Sequence, residues 1–191
     1  IKARVDEAKT AGDTLGGIFE VRVFGAPPGL GSHAGWEDKL DGALARALMS
    51  VQTVKAVEVG LGFEASRRAG SQMHDEIVRG EGGEIARSRN NAGGIEGGMT
   101  NGQIVVARGA CKPISTLRKP MQTVDLESKE AAQALYERSD VCVVPAASVI
   151  GQAVTSFEIA RAFLAKFGGD TFAETQQRFE AYRKQLEQYA K

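Results

Sequence analysis

At 191 residues the chain has the length of one domain, residues 1–191, and enough material to bury a core of its own. Its 24 lysines and arginines balance 24 aspartates and glutamates, so net charge gives no electrostatic case for nucleic acid or an anionic membrane. Cys111 and Cys142 lie far apart without a C-x-x-C and read as reduced thiols of a cytoplasmic protein, and no apolar run approaches the ~20 residues of a membrane span.

Lys2 to Ala11 predicts a helix stopped at Gly12. Ile18 to Phe24 follows as a strand with Phe19, Val21 and Val23 on one face. The glycines and prolines of Gly25 to Gly35 exclude helix and central strand, so that stretch is a loop. From Trp36 to Val51 the residues Trp36, Leu40, Leu44, Ala47, Leu48 and Val51 recur at helical spacing. Val54 to Leu61 reads as a second strand. Periodicity then fades from Gly62 to Gly102, and a run of that length is either functional or disordered.

Gln103 to Arg108 resumes as a strand, and Lys112-Pro-Ile-Ser-Thr116 turns the chain. Ser128 is placed to cap a helix through Tyr136, and Asp140 to Val144 reads as a short apolar strand. Pro145 opens a long helix with the apolar stripe Val149, Ile150, Ala153, Val154, Phe157, Ala160, Leu164 and Phe167, ended by Gly168-Gly169. Thr171 with Glu174 forms a capping box for a last helix, where Phe172, Phe179 and Leu186 repeat every seventh residue. That seam is more often intrachain core than a contact between copies. The class is α/β (α+β), with helices on a mainly antiparallel sheet.

The chain is organised around Ser88 to Gly102, where Gly93, Gly94, Gly97, Gly98 and Gly102 are interleaved with amides, a carboxylate and a hydroxyl. Glycines this dense in an ordered segment point to positive φ angles and close approach of the backbone to something. The stretch is neither a P-loop nor a dinucleotide fingerprint, so the residues alone leave the ligand open.

Several ordered blocks resemble chorismate synthases: Pro28-Gly-Leu-Gly-Ser-His33, Gln52 to Gly60, Gly70-Ser-x-x-His-Asp-Glu76, Asn91 to Gly102, Lys112 to Thr116, Arg138-Ser-Asp-Val-Cys142 and Lys166-Phe-Gly-Gly-Asp170. They belong to that family's C-terminal half; its two catalytic histidines lie in the other half, and His33 and His74 sit in different motifs. The resemblance implies a β-α-β sandwich, a homotetramer, and the anti-1,4 elimination of phosphate from 5-enolpyruvylshikimate 3-phosphate to give chorismate. It implies reduced FMN as cofactor and counts NADP with the family's flavin chemistry; no metal is implied. How the flavin is reduced stays open. The alternative is a non-catalytic flavin-binding or oligomerisation fragment.

Residue by residue, the resemblance puts Gly97 against the flavin ring, where a tight turn is the plainer reading. It puts Lys112, Pro113, Ile114, Ser115 and Thr116 on the flavin's phosphate and ribityl chain. A lysine, two hydroxyls and backbone N–H groups suit a phosphate, although alone the segment is a turn. Gln52 and Thr53 match a further FMN contact, with a helix C-cap as the default. Arg138 matches a residue beside FMN and substrate, and Asp140 the aspartate that assists proton transfer near the flavin; a surface ion pair is the commoner fate of Arg-x-Asp.

Overall fold

The computed structural model describes residues 1–80, 82–83, 85–137 and 140–189. Helix α1, Lys2–Ala11, ends where expected: Gly12 takes a left-handed φ of 72° and its N–H caps the Ala8 and Lys9 carbonyls. Strand β1, Gly17–Val23, buries Phe19 and Val21.

The expected helix from Trp36 is shortened. A 3-10 turn covers Trp36–Asp38, Lys39 is extended, and α2 runs Leu40–Met49. The Leu40 N–H donates to the Gly98 carbonyl at 2.9 Å, which satisfies an orphan donor of the first turn and fixes where the helix begins. Trp36 is consequently off the apolar stripe and 79% exposed. Strand β2, Val54–Val59, follows.

Between Gly62 and Gly102 the aperiodic region holds a 3-10 turn, Gly62–Arg67, and a short helix α3, Gly70–Met73. Two small hairpins follow, β3 (Ile77–Arg79) with β4 (Ile85–Arg87) and β5 (Ile95–Glu96) with β6 (Met99–Thr100). Strand β7 then spans Val105–Cys111, two residues later than expected. The Asn101 carboxamide oxygen accepts from the Gln103 N–H and the Asn90 amide donates to the Ile104 carbonyl, so those residues are spent on the turn.

Strand β7 is the centre of a three-stranded antiparallel sheet in the order β1-β7-β2. Its alternation puts Val105, Ala107, Gly109 and Cys111 on the face covered by helices. Gly109 and Gly151 hold the Phe19 ring between them; a Cβ on either would lie 2.5 or 2.4 Å from it. One core cluster gathers Phe19, Val21, Leu48, Val51, Val54 and Ala147, and a second gathers Leu30, Leu40, Leu44, Ile95, Val105 and Phe167.

The helix expected from Ser128 through Tyr136 is instead a hairpin, β8 (Gln122–Val124) with β9 (Ala131–Gln133). Turn chemistry outweighs the cap: the Asp125 carboxylate accepts the Glu127 and Ser128 N–H groups, and Lys129 sits at φ 61°. The strand expected over Asp140 to Val144 reduces to one parallel bridge, Leu15 with Cys142, because helix α4 takes over at Val144.

Helix α4, Val144–Phe167, has Pro145 in its first turn and stops at Gly168 as expected. Most of its apolar stripe is turned away from the sheet. The side turned to α2 and β1 carries Ala147, Gly151, Thr155 and Glu158, while Val149, Ile150, Ala153, Phe157, Ala160 and Leu164 face outward; Phe167 alone of that set is buried. The contact with Phe19 requires Gly151 on the inside, which rotates the large apolar residues away. Helix α5, Phe172–Tyr189, is started by Thr171, whose hydroxyl accepts the Glu174 N–H at 3.2 Å. Phe179 and Tyr182 pack on Phe163 and Phe167 with ring centroids 5.1–5.3 Å apart, so the middle of the seam is intrachain; Phe172 and Tyr189 are exposed.

Candidate functional site

All five glycines of the central stretch have positive φ, between 59° and 91°. Four are held by their own chain. A Cβ at Gly93 would lie 2.3 Å from the Gly60 nitrogen, at Gly94 2.5 Å from the Ile104 oxygen, and at Gly98 2.6 Å from the Ser32 oxygen, and at Gly102 it would meet the Pro28 ring at 3.3 Å. Gly97, at the tip of the β5–β6 hairpin, differs. A Cβ there meets nothing within 4 Å among the described residues, so its φ of 59° presents bare backbone to open space.

The arch is anchored by side chains that sequence reasoning did not single out. Both oxygens of Asp75 accept backbone N–H groups, from Asn91 and Ala92, at 2.9 Å each. Arg87 grips Glu96, next to Gly97, through two hydrogen bonds of 3.1 and 2.7 Å. Those bonds hold the Glu96 carboxyl below the usual carboxylate range against the opposing push of partial burial. The Thr100 hydroxyl accepts the Leu30 N–H and donates to the Pro27 carbonyl, tying the Pro-Gly loop to the same hairpin. Asp75 lies in the Gly70-to-Glu76 block, which was its only sequence signal.

The other expected residues collect at the far end of the sheet. The Lys112 N–H donates to the Thr53 carbonyl at 2.9 Å, so Gln52, Thr53 and the start of Lys112–Thr116 are neighbours. Thr53 is strained: a β-branched residue at φ 73°, with a buried Oγ1 that has no hydrogen-bond partner among the described residues. The Thr14 hydroxyl donates to the Ile114 carbonyl at 2.6 Å, and the Leu15 N–H to the Val141 carbonyl at 2.8 Å. One dipeptide therefore fastens both Lys112–Thr116 and the segment of Asp140.

Between those segments lies a small cleft of about 60 Å³, where Thr116 and exposed Asp140 meet Lys9, Thr14, Arg118 and Tyr136. The Arg118 guanidinium stacks 5.8 Å from the Tyr136 ring centre. Lys9 and Arg118 were missed by sequence reasoning; Arg118 lies two residues beyond the Lys112–Thr116 block, and Lys9 carries no signal at all. Arg138 lies outside the described residues. Gly97 is not in this group: α2 separates them, with Gly98 at its start and Gln52 just past its end, a span on the order of 15 Å for ten helical residues. A ligand that touches both ends has to be elongated.

The family model described as chorismate synthase matches residues 1–164. The chain belongs to the chorismate synthase family. It is 55% identical over 189 residues to the chorismate synthase of Pelobacter propionicus, covering 95% of this chain and 48% of that protein. The chorismate synthase of Syntrophotalea carbinolica is 56% identical over 189 residues, covering 99% of this chain and 48% of the relative. A crystal structure of a chorismate synthase superposes with a TM-score of 0.81 at 45% identity, covering 97% of this chain and 48% of the solved one. The chain thus spans about half the length of the chorismate synthases it matches, and it corresponds to their C-terminal half. Helices on an antiparallel sheet agree with the expected class. Among the described residues no helix is long and apolar enough to cross a membrane, and no group of His, Cys, Asp or Glu is arranged to hold a metal.

Proposed function

We propose that this chain supplies the flavin-phosphate end and the proton-handling carboxylate of a chorismate synthase, which eliminates phosphate from 5-enolpyruvylshikimate 3-phosphate to give chorismate. The observation that carries this reading is the joining of Gln52–Thr53, Lys112–Thr116 and Asp140 at one end of the sheet, from three separated stretches of sequence. The residues fit FMN. Lys112 is an exposed cation in the same short segment as the Ser115 and Thr116 hydroxyls, a donor set suited to a phosphate. Thr53 carries a hydroxyl without a partner among the described residues, at a strained backbone position, the kind of strain kept where a ligand uses it. Gly97 leaves its space open on the surface where a flat ring has to lie close.

When bound, reduced FMN supplies electron density to the substrate and accepts a proton. The chain's part is to hold it. Lys112 to Thr116 would hold the phosphate and ribityl chain, Gln52 and Thr53 would add a further contact, and Gly97 would admit the ring, some 15 Å from the others. Asp140 lines the cleft together with Thr116 and the cations Lys9 and Arg118, where its carboxylate oxygens could hold or pass a proton. Arg138 belongs to this reading by its place in the sequence, two residues before Asp140. The homotetramer, the NADP association and the cytoplasmic setting belong to it as well, supported by family membership.

The test uses this chain and a full-length version made by joining it to the N-terminal half of the Pelobacter propionicus relative. The chain alone is expected to bind FMN without turnover, and the joined protein to form chorismate anaerobically with reduced FMN. Asp140→Asn in the joined protein is expected to keep FMN and substrate binding and to slow turnover by about 100-fold or more. Turnover at the unsubstituted rate would remove Asp140 from the mechanism. FMN binding by both forms with no turnover in either would favour a flavin-binding fragment instead.

A further inference from the structure

Another cleft, of about 550 Å³, opens where α2 and α4 meet the loop through Gly29 and His33 and strand β6. Its size is within the roughly 300–1,000 Å³ of small-molecule sites. None of the described residues expected to touch the flavin lines it. One carboxylate in its wall has an incomplete set of partners. The Glu158 side chain is 9% exposed, and its Oε2 is buried without a hydrogen bond among the described residues. The cations nearby stand at ion-pair distances only, Arg161 Nε at 3.4 Å and Arg46 at 3.8 Å. Burying a carboxylate is costly unless its oxygens are hydrogen-bonded, so a ligand that brings donors is favoured there.

The remaining charges of the wall decide what fits. Asp38 adds a second carboxylate, set against the cations Arg161 and Lys166, and His33 also lines the cleft. Lys166 holds its ammonium 4.5 Å from the Tyr182 ring centre and makes no ion pair among the described residues. Gly29 makes room for it, since a Cβ there would lie 3.1 Å from the Lys166 Nζ. Two carboxylates repel an anion such as a nucleotide, and two cations repel a simple amine. No group of His, Cys, Asp or Glu among the described residues is arranged to hold a metal. We propose that the cleft binds an α-amino acid with an apolar side chain. Such a molecule carries an ammonium and a carboxylate one carbon apart. Glu158 and Arg161 offer the complementary pair side by side, 3.4 Å from each other. The ammonium donates to Glu158, the carboxylate accepts from Arg161 and Lys166, and the side chain rests on Leu40, Ala162 and Met99. Met99 belongs to the hairpin that carries Gly97, so the ligand also touches the central arch.

Isothermal titration of this chain and of the joined full-length protein with L-leucine, L-methionine and L-phenylalanine decides it. At least one of the three should bind both proteins saturably, with a Kd below about 1 mM. The N-acetyl and amide derivatives of that amino acid each lack one charge and should bind at least about tenfold more weakly. Glu158→Gln and Arg161→Met, each melting cooperatively, should weaken binding of the free amino acid to the same extent. No saturable binding by any of the three would overturn the proposal. So would equal binding of the blocked derivatives, a comparison that needs no variant, or unchanged affinity in a folded Glu158→Gln. Binding by this chain that is absent from the joined protein would overturn it too, because the rest of the polypeptide would then fill the cleft. Glu158, Arg161 and Lys166 take no part in the proposed flavin site, so the outcome is independent of the proposed activity.

Discussion

Replacing glycines of the central arch one at a time separates two reasons for a positive φ. At Gly94 an alanine Cβ would sit 2.5 Å from the Ile104 carbonyl oxygen and 2.9 Å from the Val105 Cα, both backbone atoms that cannot swing away. At Gly97 the same atom meets nothing within 4 Å among the described residues. Left-handed backbone costs a non-glycine residue roughly 1–2 kcal/mol, partly offset by about 0.4–1 kcal/mol from a stiffer unfolded chain. Gly97→Ala should therefore cost about 1 kcal/mol, a fall in melting temperature of roughly 2–4 °C for a chain of this size. Gly94→Ala adds a backbone clash and should cost about 4 kcal/mol or more, lowering the melt by upwards of about 10 °C. Circular dichroism melts measure both. Fluorescence titration with FMN supplies the functional arm: Gly97→Val should bind at least about tenfold more weakly, because its branched side chain fills the space left for the ring. Equal destabilisation at the two glycines would refute the idea that Gly97 faces open space. A folded Gly97→Val with unchanged FMN affinity would refute its role as the ring's cradle.

Thr53→Gly should raise the melting temperature by roughly 2–4 °C, since it relieves about 1 kcal/mol of left-handed strain; a fall would mean the hydroxyl contributes more than the strain costs. Glu96 titrates below the usual carboxylate range because Arg87 holds its charged form, so its contribution is present above the unfolded value near ~4.3 and disappears as pH drops through the folded-state value. Glu96→Gln should accordingly melt lower at neutral pH and lose less on acidification below about pH 4, and parallel melt-versus-pH curves would contradict this. Thr14→Val strands the Ile114 carbonyl and should cost about 1–2 kcal/mol, with faster amide hydrogen exchange across Lys112–Thr116 as the local signature.

The parts of the fold that were legible in sequence are those decided locally. Gly12 ends α1 because left-handed backbone finishes that turn, Pro145 suits the first turn of α4 because its missing N–H is unpaired there anyway, and Gly168 leaves the helix in an extended conformation. What failed depended on contacts distant in sequence. The start of α2 is set by a carbonyl from Gly98, and the segment after Ser128 follows Asp125 rather than its own helical pattern. The apolar stripe on α4 was legible, but the side it faces was not, since periodicity marks a face without saying what lies on each side of it. For the site, the grouping of Gln52, Thr53 and Lys112 was reachable only through the resemblance, and Lys9 has nothing in its neighbourhood to announce it.

The Phe19 ring, with Gly109 below it and Gly151 above, fixes the gap between sheet and helix at the thickness of one aromatic ring. Three positions far apart in the chain therefore vary as one: a methyl group at either glycine is admissible only with a smaller residue at 19, and a smaller residue at 19 leaves a void unless a glycine gains a carbon. The rotation of α4 about its own axis hangs on that triplet, and so does the direction in which its outer side chains point. A protein engineer wishing to turn that helix, and redirect whatever it presents, would begin at a ring buried on the opposite side.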